Sequence, residues 1–86
     1  MITGTTQSGF SYKITEETLD DYELLEIFVD MDAGNIALVP LMVKKLLGDE
    51  QSKALKEHCK ENGRVSTNKM MNEVMDILTS NNEGKN

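Results

Sequence analysis

A single cysteine, Cys59, rules out any disulfide within this 86-residue chain. The N-terminus, MITGTTQSGF, has no basic stretch leading into an apolar block, so no secretory signal is read and a reducing cytoplasm is the expected location. No apolar run approaches the roughly 18 residues that a helical membrane span requires, so no membrane partner is expected. Tryptophan is absent, and Phe and Tyr number two each. A tightly specified small-molecule pocket is therefore not suggested, and no cofactor is expected. Bases are also scarce in the first half. Residues 1–43 set Lys13 alone against eight carboxylates, residues 44–69 carry seven bases against four acids, and the whole chain stands at −6. Nucleic acid is bound through a concentrated basic face, and the chain builds none.

What is present is helical pattern in one small domain. A chain of this size buries about 60–65% of its unfolded surface, so the core is modest. Residues 1–8 read as a flexible N-terminus, residues 9–79 as one helical domain, and residues 80–86 as a flexible polar tail. Phe10, Tyr12 and Ile14 alternate with Ser11 and Lys13, the period of two that marks one short strand. No second strand is legible. Its unpaired edge has to be met by the N-terminal residues, a second copy of the chain or a partner, which keeps a homo-oligomer among the expected states. The fold class expected is mainly α: about four short helices with one short N-terminal strand.

The first helix is predicted over about 16–31. Thr15 or Thr18 caps it, Thr18 with Asp21 makes a variant capping box, and Ala33-Gly34-Asn35 ends it. A second over about 38–47 tolerates Pro40 in its first turn and stops at Gly48, placed for a left-handed C-cap. Asp49 caps a third to Asn62, which Gly63 ends. Ser66 or Thr67 caps a fourth, running to about Thr79.

The segment EETLDDYELLEIFVDMD, residues 16–32, holds eight acids and no base. At about 100° per residue, Glu23, Glu26 and Asp30 share a stripe roughly 60° wide. Apolar residues cover about 220°, against the somewhat more than 100° common for a surface helix. Two readings follow: a central helix wrapped by the others, or a helix whose flank of Tyr22, Leu25 and Val29 faces a second subunit or a partner protein. The acids do not converge as a site. DMDAGN at 30–35 lacks the ligand spacing and terminal bidentate glutamate of a calcium loop, so no metal is expected.

Catalysis has no visible home. His58 and Cys59 are neighbours, about 100° apart on a helix, and do not form a nucleophile–base pair there. Cys59 reads as a small core residue and His58 as a surface or boundary residue. Met70, Met71 and Met75 join Val74, Ile77 and Leu78 in one stripe on the last helix. It reads either as core packing or as an adaptable partner surface.

Three stretches taken together, SGFSYKITEETLDDYELLE, LLGDEQSKALKEHCKENGRV and MNEVMDIL, resemble a family. They are similar to the small acidic tail assembly chaperones of long-tailed, siphovirus-type phages and prophages of Gram-positive bacteria. The resemblance spans roughly residues 8–78. Gly9-Phe10, Leu19-Asp20-Asp21, Leu46-Leu47-Gly48 with Glu50-Gln51, Ala54–His58 and Gly63-Arg64-Val65 carry it. Ser66-Thr67 depart from it, standing where a proline or similar residue is expected.

The resemblance implies a non-enzymatic protein of the bacterial host cytoplasm. It implies binding to the tape measure protein, and a part in delivering tail tube subunits, during tail morphogenesis. It also implies a longer frameshifted product, for which the codons of the final GKN allow a slippery run. Phe10, Tyr12 and Ile14 on the strand, Tyr22, Leu25 and Val29 on the helix flank, and the flexible C-terminus are the expected contacts. The alternative is a small acidic regulatory or inhibitor protein, phage-encoded, that binds a host or phage protein.

Overall fold

The computed structural model describes residues 1–83. It is mainly helical, with four helices and an N-terminal hairpin. The hairpin is the first departure from expectation. Residues 2–5 are not flexible but form β1 (Ile2–Thr5), paired antiparallel with β2 (Ser11–Ile14) in the register Ile2↔Ile14 and Gly4↔Tyr12. The strand therefore finds its mate within the same chain. β1 escapes a pattern reading because glycine and threonine fill it, leaving Ile2 as its one inward apolar side chain.

The strand candidates lie inward, Phe10 just before β2 and Tyr12 and Ile14 within it. Phe10, Tyr12 and Ile14 are buried, so they belong to the core and not to a contact surface. Tyr12 lies across Gly4, where an added Cβ would meet the phenol oxygen at 2.5 Å. Its Oη accepts from Asn81 Nδ2 at 3.1 Å. The outer edge of β2 is closed as well: Lys13 N–H donates to Gln51 Oε1 and Gln51 Nε2 donates to the Lys13 carbonyl, both at 2.6 Å. One side-chain amide thus answers Lys13 as a neighbouring strand would.

The acidic segment is not one helix. Thr15 caps a single turn, α1 (Glu16–Leu19), accepting from Thr18 N–H at 3.1 Å. The chain then breaks at Asp20-Asp21, so Thr18 does not act as the capping residue expected of it. Asp21 adopts an extended backbone and accepts from Glu23 N–H at 2.9 Å, starting α2 (Tyr22–Asp32). A short carboxylate bonded to a nearby backbone N–H competes with helix continuation. Lys45 Nζ also reaches Asp21 Oδ2 at 3.2 Å.

That hydrogen bond from Lys45, with help from the Glu23 N–H, holds the Asp21 carboxyl below its ordinary value against a smaller opposing effect of desolvation. The unfolded chain binds the extra proton, so the contribution is complete above about pH 4 and disappears as acid takes the folded group through its own lower pKa. Asp21→Asn keeps a capping oxygen and loses the ion pair. Its urea midpoint is expected to fall below that of the native chain at pH 7, and the gap to narrow as the pH falls below the ordinary carboxylate range.

After a 3-10 turn (Ile36–Leu38) comes α3 (Val39–His58), which joins the expected second and third helices across a kink at Gly48. Ser52 Oγ donates to the Val43 carbonyl at 3.3 Å, and Gln51 Nε2 to the Leu47 carbonyl at 2.9 Å, tying the two arms together. The first arm buries Val39, Met42, Val43, Leu46 and Leu47; the second buries Ser52 and Leu55.

The helix ends at His58, not at Asn62. Cys59 leads into a minimal hairpin, β3 (Lys60–Glu61) and β4 (Arg64–Val65). Asn62 and Gly63 form its turn, both at positive φ, 52° and 82°. Asn-Gly is the dipeptide that suits such a two-residue turn, so Gly63 reverses a hairpin where a helix stop was expected.

Ser66 then caps α4 (Thr67–Glu83), accepting from Lys69 N–H at 3.2 Å. α4 runs past Thr79 and takes in residues 80–83 of the expected flexible tail; residues 84–86, with the GKN reading, lie outside the described residues. Met70, Val74, Ile77 and Leu78 are buried and Met71 and Met75 pack half-buried against them. The methionine stripe is core.

Candidate partner-binding surface

α2 packs on the body of the domain through Leu24 and Met31, both buried, with Ile27 and Phe28 half-buried beside them. It is not a central helix. On the opposite side Tyr22 is 70% exposed, Leu25 52% and Val29 56%. Residues at i, i+3 and i+7 share one helical face, so the three make a continuous apolar strip turned to solvent.

Ile36 and Leu41, on the two elements that follow and pack against α2, are also about half exposed, at 56% and 50%. Pattern reading did not nominate these two. Leu41 sits in a run that is apolar nearly all round, and the exposed Pro40 beside it is the sequence cue that this turn lies at the surface.

The acids expected to form a stripe do so: Glu23, Glu26 and Asp30 are exposed along one border of the strip. Lys45 lies 3.9 Å from Glu23. No group of three or more His, Cys, Asp or Glu side chains among the described residues is arranged to hold a metal ion. No described helix is long and apolar enough to cross a membrane.

A second polar cluster joins the loop between β1 and β2 to the last helix. Thr6 Oγ1 donates to Glu73 Oε1 and Ser8 Oγ to Glu73 Oε2, each at 2.7 Å, and Gln7 N–H donates to Asp76 Oδ2 at 2.8 Å. Ser8 Oγ also lies 2.9 Å from His58 Nε2, and the His58 ring stacks at a tilt on Phe10 with centroids 5.5 Å apart. A serine beside a histidine invites a nucleophile–base reading. The polarity is wrong for it: Ser8 has one proton and gives it to Glu73, which leaves the imidazole to donate to the serine oxygen. The cluster is a fastening. It satisfies the carboxylate of Glu73, a buried acid, with two hydroxyls.

Cys59 lies fully buried nearby. Burial first, and the charge of Glu73 second, push its thiol above the ordinary range. A buried thiol is a poor nucleophile. A disulfide reagent such as DTNB is expected to label the native protein about a thousandfold more slowly than the urea-unfolded chain, since attack requires opening of the core. Comparable rates in the two states would contradict the burial of Cys59.

Compared with protein-family models, with curated proteins and with solved structures, the chain finds no match.

Proposed function

We propose that the protein is a non-enzymatic tail assembly chaperone of a long-tailed phage or prophage. In this reading it binds the tape measure protein in the host cytoplasm while the tail is built. The exposed apolar strip of Tyr22, Leu25 and Val29 carries the reading. A small domain that leaves large side chains open on one helix has a surface suited to covering apolar helices of another protein. The net charge of −6 keeps such a complex in solution. The resemblance across residues 8–78 supports the assignment of the partner, and with it a supporting part in delivering tail tube subunits.

Co-expression tests this. The tape measure product from the same genome is expected to be largely insoluble alone, and soluble and co-purifying with the chain when both are made together. Leu25→Glu with Val29→Glu is expected to abolish the rescue while the chain itself stays folded, because both side chains face solvent. A tape measure product whose solubility and purification profile are indifferent to the chain would sink the proposal.

A further inference from the structure

The acids around the α2 strip are arranged on both of its borders. Advancing about 100° per residue, Tyr22, Leu25 and Val29 occupy a sector of roughly 60°. Glu26, Asp30 and Glu23 follow on one side and Asp32 lies on the other, and α2 contains no base. Among the described residues Glu26, Asp30 and Asp32 make no ion pair. Asp30 and Asp32 also stand in the last turn, at the negative end of the helix dipole, where carboxylates are disfavoured. No ion pair within the described fold holds Glu26, Asp30 or Asp32.

We infer, on the reading of this face as a protein-docking surface, that its occupant is an amphipathic helix of the partner whose apolar stripe is bordered on both sides by Lys or Arg. The apolar residues of such a helix, at three- and four-residue spacing, lie on Tyr22, Leu25 and Val29. The long basic side chains run outward along the strip and bring their charges to Glu26 and Asp30 on one border and Asp32 on the other. α2 is 11 residues long, so about three turns of the partner are engaged at once. A second copy of the chain is a poor occupant: α2 against α2, in either direction, offers these carboxylates no counter-charge.

Three 18-residue helical peptides with the same leucine stripe and flanks of Lys, Gln or Glu provide the probe, titrated against the full chain by fluorescence anisotropy. The Lys-flanked peptide is expected to bind about tenfold more tightly than the Gln-flanked one, and the Glu-flanked peptide not measurably. Glu26→Gln, Asp30→Asn and Asp32→Asn together are expected to bring the Lys peptide down to the affinity of the Gln peptide. Glu17→Gln, Glu50→Gln and Glu57→Gln change the net charge equally but away from the face, and are expected to leave the preference within about twofold. Leu25→Gln with Val29→Gln is expected to weaken both peptides by about tenfold or more. Thermal melts by circular dichroism verify that every variant stays folded.

Equal affinity for the three peptides overturns the inference, as does loss of the preference in the remote triple variant. A free chain that sediments as a dimer and is split by Leu25→Gln with Val29→Gln overturns it too, in favour of a second copy. The chaperone proposal stands or falls separately. Rescue of the tape measure product without any peptide preference removes this inference alone. The peptide preference without rescue removes the chaperone reading and leaves the helix-binding face.

Discussion

Leu55→Ala is expected to cost about 3 kcal/mol and to lower the melting temperature by about 15 °C. Leu55 has no solvent exposure and lies on the second arm of α3, in one cluster with Met42, Cys59, Val74 and Ile77. Removing its branched end forfeits the transfer of those carbons out of water and leaves a hole that close-packed neighbours fill only in part. A domain of this size holds about 5–10 kcal/mol of total stability, so a large share disappears with one side chain. Leu25→Ala removes the same atoms from a side chain that is 52% exposed, and is expected to change stability by less than about 0.5 kcal/mol. Urea titration of the two variants side by side measures the contrast. Equal losses would mean that the α2 strip is covered in the native protein.

Gly48→Ala is expected to cost about 2 kcal/mol for a different reason. Gly48 has φ 77° and ψ 175°, a backbone region that is essentially closed to side-chain-bearing residues. A Cβ there would meet nothing within 4 Å, so the loss is conformational and owes nothing to crowding. The kink lets the two arms of α3 bury different faces and presents Gln51 to the edge of β2. Straightening it to suit alanine would surrender the Lys13 clamp. The strained, kinked state is therefore expected to persist, with a lower urea midpoint and an unchanged m-value. Stability equal to that of the native chain would show that the backbone at Gly48 is relaxed.

Much of the helical frame was legible because its signals are local. Ser66 before an amphipathic run, Thr15 before the acidic turn, and the apolar periodicity of α3 and α4 each depend on residues within a turn or two. The elements that were missed are settled over distance or by competition. β1 is marked by Ile2 alone and exists because β2 lies opposite it. The break at Asp20-Asp21 is chosen by a carboxylate that caps α2 and meets Lys45, some two dozen positions away in sequence. The hairpin at Asn62-Gly63 was hidden because its strands are two residues long, too short to show a period.

The same distinction applies to the candidate surface. An apolar arc of about 220° says that a helix has more apolar circumference than one contact needs. It does not say which sector the rest of the chain covers. The Leu24–Met31 side won because α3 packs there, and that left Tyr22, Leu25 and Val29 outside. Phe10, Tyr12 and Ile14 suggest contacts only while the strand lacks a visible mate; β1 supplies the mate, and packing against the helices buries the three side chains.

The fastening between the loop and α4 has a consequence for how the protein is made. Thr6 and Ser8 wait for Glu73, Gln7 for Asp76, and Tyr12 for Asn81, pairings that span 65 to 69 positions of chain. During synthesis these hairpin and loop residues therefore wait for partners that are made 65 to 69 positions later. Until α4 clears the exit tunnel, the N-terminal hairpin has α3 alone to close upon, with Thr6, Gln7 and Ser8 unanswered, and two strands with so little cover are marginal in water. The polar fastening is then among the last parts of the fold to close, after α4 has emerged.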